Sequence, residues 1–197
     1  MKKIPTIFKR DETDRSRVTD EINPVCQWVF DGEGVATRKF DGTAILIRGG
    51  RVFKRYDCKR GRVPPPLFEA ASDDFDPVTG HLPGWVPMNK EAPEDKYLVE
   101  ALVAGKTWYG APLVDGTYEL CGPKIQGNAE QLPHHALVKH GEVSWLECKL
   151  IWPLVDFFKE YNVEGIVWHH PDGRMAKIKA RDFGIYKRDG SQKGEIT

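Results

Sequence analysis

Lys39-Phe40-Asp41-Gly42 sets a lysine two residues before an acid and three before a glycine, at the end of a strand-like stretch. A lysine amine becomes a nucleophile once it loses its proton, which neighbouring cations, a metal ion or removal from water can bring about. In an extended chain Asp41 shares the face of Lys39, and Arg38 points the other way. Taken alone, the tetrapeptide also describes an exposed hairpin with a surface lysine, and that bland reading carries more weight. Further along, Lys177 and Lys179 flank Ile178, so both ammonium groups leave one face of a strand. Paired lysines suit a clamp on phosphate oxygens better than they suit a core. Glu164-Gly165 opens the partner strand and can carry an acid beside that clamp. Glu119 is an acid inside the otherwise apolar run Thr117 to Gly122, where burial would demand a hydroxyl, cation or metal partner. The alternative for Glu119 is an outward-facing strand position.

The elements that must position these residues are short. Val25 to Phe30 reads as a strand, and Val35 to Lys39 leads into a turn at Asp41-Gly42. Ala44 to Ile47 is an apolar run of strand length, Gly49-Gly50 a hairpin turn, and Arg51 to Tyr56 the return strand. Helical spacing marks 95–104 and, more strongly, 150–161 with Pro153 near its start. Trp108 to Leu120 reads as a hairpin turning at Asp115-Gly116, and 165–168 with 175–180 as another, turning at Pro171-Asp172-Gly173. Residues 1–24 read as an amino-terminal arm. The prolines at 64–66, 77, 83, 87 and 93 make 60–95 a surface excursion without long regular elements. Many short strands with a few helices, and no regular strand–helix alternation, indicate an α+β fold of antiparallel sheets. The expectation is one domain spanning 1–197.

Charge and composition narrow the partners. The chain has 197 residues, with 29 Lys+Arg against 29 Asp+Glu. Zero net charge argues against a globally basic nucleic-acid binder, so any such partner must be held by local charge. Two basic runs meet that need, Arg48 to Arg62 and Arg174 to Lys193. A solvated surface is the alternative for either run alone. Hydrophobic residues make up 40% of the chain, enough for a core, and no apolar stretch is long enough to span a membrane. The four cysteines form no Cys-x-x-Cys pair, and without a secretory signal they read as reduced thiols of a cytoplasmic protein. His134, His135, His140, His169 and His170 show no zinc spacing and read as structural or surface groups.

Lysine in Lys-x-Asp-Gly, a strand glutamate, Glu-Gly followed by two apolar residues, and Lys-x-Lys together resemble motifs I, III, IV and V of the covalent nucleotidyltransferases. That superfamily comprises the ATP-dependent DNA and RNA ligases and the messenger-RNA capping enzymes. The likeness covers residues 35 to 185, and within it Gly34 to Thr43, Gly122 to Asn128, Leu137 to Gly141 and Glu164 to His169 are similar to the small single-domain RNA ligase 1 family. The resemblance implies a ligase adenylation domain without a carboxy-terminal oligonucleotide-binding barrel, since 18 residues follow Lys179. It implies that Lys39 carries AMP covalently and that Thr37 lies where the family contacts adenine. Asp41 would orient the lysine or a hydrated metal, and Glu119 would hold a ribose hydroxyl. Glu164 would lie at the metal, and Lys177 and Lys179 would hold the α-phosphate. Arg55 resembles an arginine that contacts the ribose or the acceptor RNA end, with Lys59 and Arg60 beside it for RNA. An apolar or aromatic residue within 134–145 would cover the adenine.

The expected activity is ATP-dependent joining of 5′-phosphate and 3′-hydroxyl RNA ends, as in RNA repair, by a monomer using ATP and Mg2+ or Mn2+. The implied rivals are DNA joining or capping-type transfer, and a non-catalytic nucleotide- or RNA-binding module on the same scaffold. DNA ligases and capping enzymes usually place an arginine five residues after the nucleophile, and Ala44 stands there. Without the barrel, Lys54, Lys59, Arg60 or the amino-terminal arm would have to orient the pyrophosphate.

Overall fold

A computed structural model describes residues 3–77, 79–144 and 153–186. Eleven strands are described: β1 (Phe8–Arg10), β2 (Val18–Ile22), β3 (Val35–Lys39), β4 (Thr43–Arg48), β5 (Arg51–Lys59), β6 (Glu69–Ala70), β7 (His81–Pro87), β8 (Gly116–Cys121), β9 (Ala136–Lys139), β10 (Gly165–His169) and β11 (Met175–Lys179). The helices are α1 (Gln27–Phe30), α2 (Lys96–Val103) and α3 (Leu154–Glu160). The chain divides into two compact units. Among the described residues, the terminal unit holds 4–40, 141–144 and 153–186, and the central unit holds 41–77 and 79–140 with Lys3. The mixed class with antiparallel sheets and few helices agrees with the sequence reading.

The terminal unit holds the sheet that matters most, β11-β10-β3, antiparallel throughout. Its register puts Lys39, Gly165 and Lys179 in one row and Thr37, Val167 and Lys177 in the next row of the same face. The other parity, Ala36, Ile166, Trp168, Ala176 and Ile178, is buried in a core with Ile7, Trp28, Leu154, Phe157 and Phe158. Because strand side chains alternate, a one-residue slip would exchange the lysines for the core. Helix α3 contributes Leu154, Phe157 and Phe158 at i, i+3 and i+4, each worth about 1.5–3 kcal/mol when buried. It starts just after Pro153, a residue suited to open a helix and not to continue one. The start of the expected 150–161 helix lies outside the described residues.

The amino-terminal arm is integrated into this unit. Residues 8–10 and 18–22 form the β1-β2 hairpin, and Ile7 is fully buried. Ile7 N–H donates to the Lys177 carbonyl and Lys177 N–H to the Pro5 carbonyl, so segment 5–7 lies parallel along the edge of β11. The expected strand at Val25 to Phe30 is instead a 3-10 turn, Pro24–Cys26, running into α1. Asn23 caps Val25 N–H and Pro24 occupies the first position, a helix start that the apolar run concealed.

The central unit contains a six-stranded sheet in the order β6-β7-β5-β4-β8-β9. Ile45, Ile47, Tyr118, Leu120 and Leu137 pack with Leu98 and Ala101 of α2. The Pro-rich excursion expected over 60–95 includes seven-residue β7, whose Trp85 and Val86 are buried. Pro83 and Pro87 are tolerated because β6 offers only two residues, opposite Trp85 and Gly84, and the prolines fall outside that short ladder. The Trp108–Leu120 hairpin is also corrected. Residues 107–111 close a turn through Thr107 N–H to Ala111 O, and Asp115-Gly116 opens β8, which pairs with β4 and β9. No described helix is long and apolar enough to cross a membrane.

Gly165 sits at the centre of the lysine row because nothing larger fits. A Cβ there would lie 2.3 Å from the Ile178 carbonyl oxygen and 3.1 Å from Lys179 Cα, both backbone atoms of β11. Gly165→Ala is expected to part β10 from β11 and to lower stability by about 1–3 kcal/mol, read as a lower denaturant midpoint. A variant with an unchanged midpoint would contradict this register.

Candidate active site

Glu164 stands just before β10, where its carbonyl accepts Ala180 N–H at 3.0 Å and ties it to the end of β11. Its carboxylate accepts from two lysines. Lys39 Nζ reaches Oε2 at 2.5 Å and Lys179 Nζ reaches Oε1 at 2.5 Å. Lys39 Nζ also lies 3.4 Å from the Phe40 carbonyl. The two lysines come from strands that flank β10 on either side, so the bridge spans the whole three-stranded sheet. Lys177 is on the same face one row away, and among the described residues its ammonium makes no hydrogen bond or ion pair.

Burial dominates the electrostatics. It pushes the Glu164 carboxyl up, but the Lys39 and Lys179 charges outweigh it and hold the group below its ordinary value. The Lys179 ammonium is lowered first by burial and then by Lys39, against the opposing pull of Glu164. Lys177 is lowered to about 8, first by burial and then by the charges of Lys179 and Lys39, which outweigh Glu164 and Asp182. The result is a compact cationic face with one carboxylate among three lysines.

Two supports escaped the sequence reading. Asp182, 1% exposed, accepts Lys179 N–H at 2.9 Å through Oδ2 and Arg10 at 2.8 Å through Oδ1. Its sequence signal was only an acid three residues past Lys-x-Lys, at the start of the turn Ala180–Phe183. Thr37 is 3% exposed and its hydroxyl donates to the Val167 carbonyl at 3.0 Å, so it fastens β3 to β10. Arg38 lies on the opposite parity, with its guanidinium 4.7 Å from the centre of the Phe40 ring.

The central unit carries the remaining expected residues. Glu119 is buried, and its partner is an imidazole: His140 Nε2 lies 2.8 Å from Oε2. His140 Nδ1 lies 2.9 Å from the Thr117 hydroxyl. The pairing gives His140 a hydrogen-bonding role that nothing in the spacing of the two residues announces. Asp41 is half-buried and its backbone N–H donates to Glu130 at 2.9 Å. Gly42 is confined by this unit, since a Cβ would meet the Leu120 carbonyl at 2.2 Å and Glu119 Cγ at 2.9 Å. On β5, Arg55 donates to Asp57 at 2.8 Å, and exposed Lys59 shares their parity. Arg60 lies 5.4 Å over the Phe75 ring. Lys54 is committed to buried Asp95 at 2.5 Å. Cys26, Cys58 and Cys121 are buried thiols, and Cys148, Trp145, Trp152 and the basic residues 187–193 lie outside the described residues.

The donor set does not fit a resident divalent cation. Both Glu164 oxygens accept from ammonium groups, and no group of three His, Cys, Asp or Glu residues suited to a metal occurs among the described residues. Hard cations need several oxygen ligands, and two adjacent ammonium charges oppose one here.

Comparison with known proteins gives a consistent set of similarities. A family model described as RNA ligase 1 matches residues 109–192, a span that includes Glu119, His140, Glu164, Lys177 and Lys179. RNA ligase 1 of Danio rerio is 29% identical over an alignment of 222 positions, covering 85% of this chain and 67% of that protein. RNA ligase 1 of Pongo abelii is 29% identical over 139 positions, covering 54% of this chain and 42% of its own length. The Rattus norvegicus protein of the same name is 28% identical over 156 positions, 61% of this chain and 47% of its length. By sequence the chain is similar to proteins named RNA ligase 1 over much of its length. It spans about 42 to 67% of the length of these curated relatives.

The lysine trio makes a direct titration prediction. In nitrogen- or carbon-detected NMR of the lysine side chains, one signal is expected to titrate near pH 8 and to vanish in Lys177→Arg. Lys177 is then cationic below that pH and neutral above it, so its attraction for anions fades as pH rises. A Lys177 signal titrating above pH 10 would refute the burial argument.

Proposed function

We propose that this protein is an ATP-dependent RNA ligase that joins 5′-phosphate and 3′-hydroxyl RNA ends through a covalent Lys39–AMP intermediate. The observation that carries the reading is the Glu164 carboxylate shared by Lys39 and Lys179, with Lys177 on the same face. A nucleophilic lysine needs a proton acceptor at its nitrogen, and a transferring phosphoryl group needs fixed cations at its oxygens. This face supplies both.

In the first step Lys39 Nζ gives a proton to Glu164 and attacks the α-phosphorus of ATP. A nitrogen–phosphorus bond forms, the bond to the bridging oxygen breaks, and pyrophosphate leaves. Lys177 and Lys179 offset negative charge on the α-phosphate oxygens, so the protein contributes mainly position and electrostatics. In the second step an oxygen of the RNA 5′-phosphate attacks that phosphorus and releases Lys39, leaving AMP on the RNA end. In the third the RNA 3′-hydroxyl attacks the 5′-phosphorus and AMP departs. ATP would bring its own divalent cation, magnesium or manganese, on its phosphates as part of the substrate.

Likeness to proteins named RNA ligase 1 supports RNA as the substrate. The roles of the remaining residues follow the resemblance. Thr37 lies by the adenine, Asp41 orients the lysine, Glu119 accepts a ribose hydroxyl, and Arg55, Lys59 and Arg60 take RNA phosphates. Arg55 brings a charge already part-neutralised by Asp57, which suits reversible phosphate contact better than tight anchoring.

Intact mass after incubation with ATP and magnesium tests the class. The expected result is a gain of one AMP, absent from Lys39→Ala. Glu164→Gln, which keeps an acceptor but cannot take the proton, is expected to slow adduct formation about 10²-fold or more. Labelling of Lys39→Ala would remove the nucleophile assignment. Joining of nicked DNA in preference to RNA, or labelling by GTP in preference to ATP, would replace the ligase reading with one of its rivals.

A further inference from the structure

Glu119 is the one buried acid of the central unit whose carboxylate is held by an imidazole. Backbone pairing explains how they meet. Strands β8 and β9 pair Tyr118 with Lys139 and Glu119 with Val138, and His140 N–H then donates to the Thr117 carbonyl at 3.0 Å. That bond extends the ladder by one residue and returns the His140 ring over Thr117 and Glu119.

The direction of the hydrogen bonds follows from the groups themselves. A carboxylate only accepts, so His140 Nε2 must carry a proton and donate to Glu119 Oε2. With a neutral ring, Nδ1 is then an acceptor and the Thr117 hydroxyl donates to it; with a charged ring, Nδ1–H donates to the same hydroxyl. In either state Oε2 is engaged. Oε1 makes no hydrogen bond among the described residues. Gly42 leaves Glu119 its room, because a Cβ at that position would press on Cγ at 2.9 Å.

We propose that His140 is a positioning residue, with Thr117 behind it, that locks Glu119 through Oε2 and presents Oε1 to a ribose hydroxyl of the nucleotide. The inference rests on the nucleotide reading above and adds what aims the carboxylate. A carboxylate oxygen poised for a hydroxyl penalises an analogue that lacks it, because the buried acceptor is left unpaired. His140 therefore controls discrimination between ribose and deoxyribose, and acts on saturation by ATP more than on the maximal rate of adduct formation.

The test measures lysyl–AMP formation from ATP, 2′-deoxy-ATP and 3′-deoxy-ATP. The wild type is expected to use one deoxy analogue at least about 10-fold less efficiently. His140→Ala is expected to raise half-saturating ATP about 10-fold, to leave the maximal rate within about 3-fold, and to bring the analogues within about 3-fold of ATP. His140→Gln, whose amide can donate in place of Nε2, is expected to restore discrimination, which a merely structural role would not do. Should His140→Ala fail to fold, Thr117→Val removes the hydroxyl at nearly constant shape and is expected to weaken discrimination in the same direction. A wild type that forms the adduct without discriminating, or a His140→Ala that discriminates as well as wild type, overturns the inference and leaves the ligase reading intact. If the wild type forms no adduct, the Lys39 reading fails, and calorimetry of AMP against 2′- and 3′-deoxy-AMP decides the inference alone: equal affinities overturn it.

Discussion

One carboxylate shared by two ammonium groups organises the terminal unit. Glu164 accepts from Lys39 on one flanking strand and Lys179 on the other, so a single acid closes the outer face of a three-stranded sheet. Lys177 and Lys179 are drawn out of water and repelled by each other or by Lys39, and both effects favour losing protons. Without the carboxylate that face would hold three unbalanced, partly desolvated cations, an arrangement that costs several kcal/mol. Glu164 therefore permits the lysines to stand together. The same contact puts the Lys39 nitrogen at hydrogen-bonding distance from a carboxylate.

That bridge works only if the register is held, and the supports lie away from it. Asp182 fixes the backbone of Lys179 while accepting from Arg10 of β1. Segment 5–7 runs along the free edge of β11 through both backbone groups of Lys177. The amino-terminal segment is thus the outer strand of the lysine sheet in all but length. Thr37 performs a similar task between β3 and β10. Each support grips a strand that carries a lysine through its backbone.

Some of this was legible in the sequence because it depended on period-two alternation alone. Lys177 and Lys179 around Ile178, Thr37 and Lys39 around Arg38, and the hairpin of β10 with β11 all follow from parity and one turn. What escaped was decided by contacts far apart in the chain or by punctuation outweighed by an apolar run. Asn23-Pro24 is a helix start, yet Val25 to Phe30 contains the valines and aromatics of a strand. Trp85 and Val86 draw a proline-flanked segment into a sheet because burial of an indole favours it and the prolines lie beyond the two-residue pairing with β6. Asp115-Gly116 carries the composition of a hairpin turn, but the side chain of Asp115 is used to accept Gly49 N–H at 2.7 Å. His140 is 21 residues from Glu119, and only the β8–β9 register makes them neighbours.

Zero net charge takes on a physical meaning once the pairings are known. In the basic run of β4 and β5, Arg48 pairs with Glu69, Lys54 with Asp95 and Arg55 with Asp57, so much of that positive charge is spent inside the protein. Around the lysine row the balance is different. Glu164 serves two lysines, and Asp182, which also interacts with Lys177 through space, is hydrogen-bonded to Arg10 and to a backbone N–H. Lys177 is left with neither a hydrogen bond nor an ion pair among the described residues, although it is drawn from water enough to titrate near 8. A cation held in that state has most to gain from an anion that approaches it directly, because its solvation has already been given up. Positive charge is therefore concentrated on the face where Lys39 and Lys179 share the Glu164 carboxylate and Lys177 stands one row away.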